Sequence, residues 1–435
     1  MSVECRYPVI SFPYYRDNLP IFQNTLDFYY HTDKSSQAGR IPTLSTITHD
    51  EAVARAISMI PRIQSRAQLS EELRRQPQEN IDDFIASGLI RALMPKRWGG
   101  HELGVETMYK TTFEIAKADP SAGWCFGLLV LHSWMLAYYP DQAQQEVWGE
   151  NPDACIASSF GSPQSQVSRV EGGFRASGIW GFSSGIDHSD WAMLFGSVPS
   201  QEEGSPPYAM MMLVPKKDYT ILDTWHTVAQ RGTGSKNLQL NDVFVPEHRT
   251  FDMVAWCQRG VGPGNLINDL PLYKNPLYAV IPVSLTAALL GASVGAYELW
   301  REGIRTKSSV RQAKIADFTH QQIRVAEVSA TLDAAIALFE KSLTRLSTDT
   351  PIDTYERLRL RRNYGFTAKL CKEAVKTIVD YSGASSMYES HPLQRYWRDV
   401  QASSMHITFN MDHLGEMFGK IELGISLSPK DSLLS

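Results

Sequence analysis

The spacing of hydrophobic residues changes twice along this 435-residue chain, and this restricts the fold more than any other feature of the sequence. Residues 49–151 carry apolar side chains at the 3.6-residue period of helices. Residues 153–256 alternate as strands do, and the helical period returns after residue 275. The sequence therefore predicts a helical region, a small β-domain and a second helical region, in that order.

The last part of the chain carries four long amphipathic segments, at 282–305, 310–344, 353–382 and 396–418. Four such segments joined by short connections are typical of a four-helix bundle. We predict a mostly α-helical protein with a central β-barrel or β-sandwich domain. Its predicted parts are an extended, aromatic-rich N-terminal arm (1–48), an N-terminal helical domain (49–152), a β-domain (153–265) and a C-terminal four-helix bundle (266–435).

Composition and charge argue against several classes of protein. The chain has 42 Lys and Arg against 47 Asp and Glu, so its formal charge is −5 and gives no general attraction to nucleic acid or anionic membranes. None of the five cysteines forms a CxxC pair, and no zinc-type cluster is present, so we expect free thiols and no metal. The N-terminus lacks the features of a signal peptide, and the longest apolar stretch, 279–290, is too short to span a bilayer. We expect a cytoplasmic protein.

Four motifs then point to a family. They are PKRWGGHELG (95–104), SAGWCFGLLVLHSWML (121–136), GGFRASGIWGFSSG (172–185) followed by RGTGSKNLQLNDVFVPEHR (231–249), and HPLQRYWRDVQASSMH (391–406). In this order they resemble the acyl-CoA dehydrogenase fold. The closer resemblance is to its oxygenase branch, the two-component flavin-dependent monooxygenases that include p-hydroxyphenylacetate hydroxylase. The resemblance covers residues 50–420.

The resemblance implies the activity. Members of this branch take reduced flavin, FMNH2 or FADH2, from a separate NAD(P)H:flavin reductase, and react it with O2 through a C4a-hydroperoxyflavin. Here the implied substrate is a small aromatic, phenol-like or indole-like, hydroxylated beside its hydroxyl group. The implied assembly is a homotetramer built through the bundle. The chain has no GxGxxG opening a βαβ unit, so the residues also indicate that electrons come from a partner.

Four residues are predicted to carry the chemistry. The resemblance places His406, on the last long helix, beside the flavin, and His132 and Ser159 at the hydroxyl of the substrate. It places Ser184 at the flavin N5 position. Each has a simpler explanation, because a histidine in a helical core usually bonds a backbone carbonyl and a serine in a turn usually bonds its own backbone.

A second group is predicted to bind the cofactor. The resemblance sets aromatic rings and small hydroxyls around the flavin ring, and basic residues at its phosphate, partly from a neighbouring subunit. A core position for the aromatics and a solvated position for the charges remain alternatives. The candidates are Trp124, Ser158, Trp180, Phe182, Ser184, Thr233, Ser235, Lys236, Arg305, Lys307, Arg395, Trp397 and Arg398.

Three other functions remain open at this point. An acyl-CoA dehydrogenase needs a carboxylate base, and Glu298 on the first bundle segment is the candidate. An N- or S-oxygenase of the same fold would act on an amine or a sulfur heterocycle. A flavin-free binding protein could keep the fold, although the joint presence of His132, Ser184 and His406 argues against it.

Overall fold

The computed structural model describes residues 46–161, 165–199, 207–309, 311–348 and 350–427. The predicted N-terminal arm therefore lies almost entirely outside the described residues. Within them, helices come first, strands second and helices last, so the predicted fold class, mostly α with a central β-domain, is confirmed.

The first helical region surrounds one apolar helix. Its helices are α1 (His49–Leu73), α2 (Gln78–Ala86), α3 (Val105–Ala118), α4 (Pro120–Leu136) and α5 (Asp141–Trp148). Asp119 caps α4 by accepting from the amide of Ala122, and every residue of α4 except Leu128 is buried. Gly123 lets α4 approach α3 closely, because an added Cβ would lie 2.3 Å from the Cβ of Ala116. This central helix carries Trp124 and His132.

The β-domain consists of two four-stranded sheets. The strands are β1 (Ile156–Ser159), β2 (Gln166–Val170), β3 (Gly173–Ser183), β4 (Trp191–Val198), β5 (Tyr208–Pro215), β6 (Thr220–Leu222), β7 (Lys236–Pro246) and β8 (Thr250–Asp252). One sheet has the order β1-β4-β5-β8 and the other β2-β3-β7-β6, and the β1–β4 pair is parallel. An apolar core that includes Phe174 and Trp180 fills the domain.

The last region differs from the predicted bundle in its fourth member. Its helices are α6 (Met253–Arg259), α7 (Leu277–Thr306), α8 (Thr319–Leu346), α9 (Thr354–Asp380), α10 (Pro392–Ser403) and α11 (Met411–Glu422). The segment predicted as one helix is therefore two helices separated by a short 3-10 turn, Ile407–Phe409. Asn410 starts α11 by accepting from the amides of Asp412 and His413. The prediction that His406 lies on a helix was wrong, because it lies in this break.

Helix α7 is longer than the sequence analysis allowed. Among the described residues it is the one helix long and apolar enough to cross a membrane, but 89% of its most apolar window is buried inside the protein. It packs against α3, α4 and α9. Its apolar character is explained by this interior position.

Candidate active site

The break between α10 and α11 brings His406 against α4. The rings of His406 and Trp124 meet edge to face, with centroids 5.7 Å apart, and the Phe409 ring also contacts the imidazole edge to face, at 6.3 Å. The surrounding protein desolvates His406 and lowers its pKa to about 4, yet the residue remains exposed. A side chain that is surrounded by protein and still open to solvent lines a cleft.

The hydrogen bonds of His406 fix its tautomer. The backbone amide of Thr408 donates to Nδ1 at 3.2 Å, so Nδ1 carries no proton. Because the lowered pKa keeps the ring neutral near pH 7, the proton is on Nε2. His406 therefore offers a neutral N–H donor.

A chain of hydroxyl groups begins at Trp124. Its indole Nε1 donates to Ser184 Oγ at 3.2 Å, Ser184 Oγ lies 2.8 Å from Ser235 Oγ, and Ser235 Oγ lies 2.6 Å from Thr233 Oγ1. Thr233 Oγ1 donates to the carbonyl of Gln230 at 2.8 Å. Thr233 and Ser235 are buried, whereas Ser184 is half-buried. These two residues were predicted to bind the cofactor, and here their hydroxyls support Ser184.

His132 forms a second polar group, with Ser158 as its partner. His132 Nδ1 donates to the carbonyl of Ile156, and Ser158 Oγ lies 2.8 Å from Nε2. Burial lowers the pKa of His132 to about 4, so the ring is neutral and Nε2 accepts the Ser158 proton. The two histidines therefore occupy opposite tautomers, with Nε2 an acceptor in His132 and a donor in His406.

The two groups lie on neighbouring parts of the fold. Trp124 and His132 are eight residues apart on α4, which places them about 12 Å apart along the axis and about 80° apart around it. On the β-domain side, the Ser183 hydroxyl donates to the carbonyl of Ser158 at 3.2 Å, which ties the end of β3 to β1. Ser158 and Ser184 are therefore held by adjoining strand ends.

Two predicted contacts are corrected by the structure. Ser159 was predicted to pair with His132, but its side chain points to the other side of β1, where it is buried and donates to the carbonyl of Gly181 at 2.6 Å. Trp180 was predicted to wall the flavin. It is fully buried in the β-domain, and its indole donates to the carbonyl of Phe195.

Phe182 remains available as an aromatic wall. Its side chain is 79% exposed, and its φ of 58° is rare for a bulky residue. The ring of Trp225 contacts it edge to face at 6.1 Å, and the Trp225 indole donates to the carbonyl of Gln230. An exposed aromatic side chain held in a strained backbone at a site of polar groups points to a function.

Lys236 is not free to hold a phosphate. Its ammonium lies 2.8 Å from Asp187 Oδ1 and 3.6 Å from Asp223 Oδ1. Both Lys236 and Asp187 are largely buried. The carboxylate neutralises the charge, so this geometry gives no support to the predicted phosphate role of Lys236.

Arg395 and Arg398 belong to a buried charge network. Arg398 Nη2 lies 2.6 Å from Glu71 Oε1, and Arg395 lies 3.6 Å from Glu71 and 3.8 Å from Asp119. The neighbouring Asp399 accepts from the amide of Gln230 at 2.6 Å. The network locks α10 to the turn that carries Thr233, and a phosphate contact by these two arginines from a neighbouring subunit stays a prediction. Trp397 is half-buried and packs against the main hydrophobic core.

Arg305 and Lys307 lie far from the cleft of their own chain. Ser284 of α7 packs against Gly127 of α4, and Arg305 follows 21 residues later, about 30 Å along the helix. Arg305 is exposed and pairs with Glu302 at 3.2 Å.

Lys307 lines a cavity of 260 Å³ together with Trp300 and His391, and the buried indole Nε1 of Trp300 has no hydrogen-bond partner among the described residues.

Three further residues belong to the cleft that were not predicted from the sequence. Phe409 contacts His406, Trp225 contacts Phe182, and Gln230 joins the hydroxyl chain to Asp399. Trp225 is flanked by polar residues in the segment DTWHT (223–227), which was a usable signal. The contacts of Gln230 join positions 169 residues apart and leave no local signal.

The groups in the cleft fit a flavin ring. A planar ring with carbonyl and nitrogen groups at its edge needs flat apolar walls and a few fixed hydrogen-bonding groups. Phe182 supplies an exposed ring, Ser184 keeps a lone pair free, and His406 offers its Nε2–H. The chemistry of this donor set matches the predicted cofactor.

Comparisons with known proteins identify the family of the chain. The family model described as acyl-CoA dehydrogenase, C-terminal domain, matches residues 283–411. The oxygenase subunit HsaA of a flavin-dependent monooxygenase from Rhodococcus jostii (strain RHA1) is 33% identical over 379 residues, which cover 85% of this chain and 98% of the relative. The oxygenase component of the FADH(2)-dependent resorcinol hydroxylase of Rhizobium sp. (strain MTP-10005) is 34% identical over 398 residues, which cover 88% of this chain and 96% of the relative.

The fold is also found among solved structures. The crystal structure of 3-HSA hydroxylase from Rhodococcus sp. RHA1 superposes with a TM-score of 0.82 at 32% identity, covering 89% of this chain and all of that one. The acyl-CoA dehydrogenase-like fold is thereby confirmed. The dehydrogenase alternative gains no support, because Glu298 is held in an ion pair with Lys117 at 3.2 Å.

Proposed function

Because this chain belongs to the oxygenase components of the flavin-dependent monooxygenases, we propose that it hydroxylates a phenol-like aromatic substrate next to its hydroxyl group. Reduced flavin, when bound, supplies two electrons to O2, so that one oxygen atom replaces a ring hydrogen as hydroxyl and the other leaves as water. The oxygenase-component names of the relatives imply that a separate reductase supplies the reduced flavin. We assign this role to an NAD(P)H:flavin reductase.

Ser158 and His132 bind and activate the substrate hydroxyl. Ser158 donates its proton to His132 Nε2, so its remaining lone pairs accept the proton of a phenol. As that proton moves to Ser158 Oγ, the Ser158 proton moves to His132 Nε2, and the carbonyl of Ile156 stabilises the imidazolium. The ring that loses its phenol proton becomes more electron-rich at the ortho carbon. Because burial lowers the pKa of His132 to about 4, the imidazole is a weak base that holds the proton only while the ring reacts and then returns it.

His406 acts as a neutral donor on the oxygen side of the cleft. Its Nε2–H is the one ring proton, and the contacts with Trp124 and Phe409 hold the ring in place. A donor fixed there favours oxygen transfer over release of hydrogen peroxide. Phe182 and Trp225 would form a wall for the flavin ring, and Ser184 would offer its hydroxyl to the edge of that ring.

The phosphate end of the flavin requires a second subunit. Lys307 and Arg305 lie about 30 Å along α7 from the packing contact with α4, so they can serve only a flavin bound by another copy. This arrangement supports a homotetramer built through the helical bundle. We place the enzyme in the cytoplasm, without membrane or nucleic-acid partners.

The Ser158–His132 hydrogen bond and the Nε2–H of His406 carry this proposal, since together they supply a proton acceptor and a donor. The direct test compares Ser158→Ala with Ser159→Ala, using resorcinol as the probe. We expect Ser158→Ala to lower kcat about 100-fold, the usual effect of removing a proton-transfer group. Ser159→Ala should keep kcat within about twofold and lower the melting temperature, because it removes a buried hydrogen bond. The reverse pattern would contradict the assignment.

A further inference from the structure

We propose that the buried hydroxyls of Thr233 and Ser235 fix the direction in which Ser184 donates its proton, and that this makes the cleft prefer reduced over oxidised flavin. Thr233 and Ser235 are thus positioning residues that act through Ser184. The proposal rests on the proposed function, because it takes Ser184 to face the N5 position of a flavin.

The positions of the protons follow from comparing the number of oxygen–oxygen contacts with the number of hydroxyl protons. Three oxygen–oxygen contacts, at 2.8, 2.6 and 2.8 Å, run from the Gln230 carbonyl to Thr233, from Thr233 to Ser235 and from Ser235 to Ser184. Each contact needs one proton between its oxygens, and only the three hydroxyl groups can supply them. A carbonyl has no proton, so Thr233 donates to Gln230. Ser235 must then donate to Thr233, and Ser184 must donate to Ser235.

The Gln230 end of the hydroxyl chain cannot reverse this direction of donation. If Thr233 turned its proton toward Ser235, two oxygens would face each other at 2.8 Å without a proton between them. The backbone around Thr233 is held as well, because its carbonyl accepts from the amide of Gly185 at 2.9 Å and its neighbour Gln230 is fixed by Asp399. The burial of Thr233 and Ser235 excludes water that could supply another proton.

This direction of donation determines which hydrogen-bonding group Ser184 presents to the cleft. Its proton is directed to Ser235, and one of its lone pairs accepts from the Trp124 indole. What remains for the cleft is one lone pair, so Ser184 is a hydrogen-bond acceptor there and not a donor. It therefore pairs with a ligand that carries an N–H or O–H at this point.

Flavin changes its hydrogen-bonding character at N5 when it is reduced. The reduced ring has an N–H at N5, whereas the oxidised ring has a lone pair there. A Ser184 acceptor bonds the first and leaves the second facing another lone pair. An unmade hydrogen bond at a desolvated site costs enough to change an affinity by about tenfold or more. The hydroxyl chain thus favours binding of the flavin delivered by the reductase and release of the oxidised flavin.

Three variants separate this role from a structural one. Thr233→Val keeps the shape of the side chain and removes the acceptor of Ser235, which frees Ser235 to donate to Ser184. Ser235→Ala removes the acceptor of Ser184 itself. In both, Ser184 is free to donate into the cleft. Thr233→Ser keeps the hydroxyl and is the matched control.

The experiment measures the dissociation constants of reduced and oxidised FMN and FAD in the absence of substrate, with reduced flavin under anaerobic conditions. In the unmodified protein we expect tighter binding of the reduced form. In Thr233→Val and Ser235→Ala the preference should fall by about tenfold or more, with oxidised flavin binding more tightly than before, while Thr233→Ser keeps the preference. Melting temperatures check the folding of each variant, and the ratio of two constants in one variant is insensitive to a partly unfolded fraction.

The outcomes distinguish the two proposals. If the unmodified protein prefers reduced flavin and Thr233→Val and Ser235→Ala keep the same ratio, the role of the hydroxyl chain is wrong and the proposed function stands. If the unmodified protein binds neither form of either flavin, the proposed function fails and this inference fails with it.

Discussion

His132 and His406 both have a pKa lowered to about 4, yet their Nε2 atoms have opposite hydrogen-bonding roles, since that of His132 accepts from Ser158 and that of His406 carries the ring proton. The difference comes from one backbone contact in each case. A carbonyl, that of Ile156, takes the Nδ1 proton of His132, and an amide, that of Thr408, occupies Nδ1 of His406. Residue identity alone therefore does not determine which histidine accepts and which donates, because the local backbone decides it.

Removing the donor of His406 should uncouple the reaction. We expect His406→Ala to bind flavin and substrate but to lower the hydroxylated product formed per flavin oxidised by about tenfold, with hydrogen peroxide as the remainder. Product and peroxide are measured in the same reaction mixture. His406→Gln keeps an N–H donor and should recover part of the yield. An unchanged yield in His406→Ala would remove the histidine from the oxygen side of the cleft.

At the scale of elements, the important feature is the break between α10 and α11. The apolar spacing of 396–418 continues through it, so periodicity predicted one helix. The local signals were the helix-capping residue Asn410 and the poor helix formers Ser403 and Ser404. Because the break turns His406 toward Trp124, this error of the prediction falls at the candidate active site.

The order of the elements could be predicted from the sequence, whereas the partners of the candidate site residues could not. Helical and alternating periods are local properties, and they located the β-domain and the central helix α4. Lys236 pairs with a carboxylate 49 positions away. Trp180 and Phe182 are two residues apart, yet Trp180 lies in the core and Phe182 at the surface. A β-bulge between Trp180 and Ser183 causes that division, and nothing in the spacing of the residues reveals it.

The contact between α10 and the Gln230 turn should make stability depend on pH. Burial raises the pKa of Asp399 to about 7 and that of Asp119 to about 6, and the unfolded values lie near 3.8. Between pH 4 and pH 7 the folded protein therefore holds protons that the unfolded chain has released, so this cluster loses stability as pH rises through that window. Above pH 7 these carboxyls are ionised in the folded protein too, so the cluster causes no further loss of stability.

Asp399→Asn tests this directly. The variant cannot ionise, so its melting temperature relative to the unmodified protein should be more favourable at pH 8 than at pH 5, by a few degrees. Asp412→Asn, at an exposed carboxylate of α11, is the matched control and should show no such difference. A constant difference between Asp399→Asn and the unmodified protein at both pH values would contradict the assigned protonation.

At the scale of the whole molecule, the cleft is separated by the length of the buried helix α7 from Arg305 and Lys307 at the end of that helix. A flavin that uses both must span two copies of the chain. Lys307→Ala should then weaken the binding of reduced FMN about fivefold to tenfold, the contribution of one charged contact to a phosphate. The binding of reduced riboflavin, which has no phosphate, should not change.

The matched control for this variant is Lys376→Ala, which removes an exposed lysine of α9 paired with Asp380. It should leave the binding of both flavins unchanged. Equal weakening of FMN and riboflavin by Lys307→Ala would show that Lys307 acts on the fold rather than on a phosphate.

Hydroxylation of a phenol is tested most directly by giving the protein reduced flavin, ¹⁸O₂ and phenols such as resorcinol. The products are then identified by mass spectrometry. The account predicts that a phenol gains one ¹⁸O atom as an ortho hydroxyl, and that the peroxide released is less than the flavin oxidised. Flavin oxidation at the rate of free flavin, with one peroxide formed for each flavin and no ¹⁸O in any phenol, would contradict it.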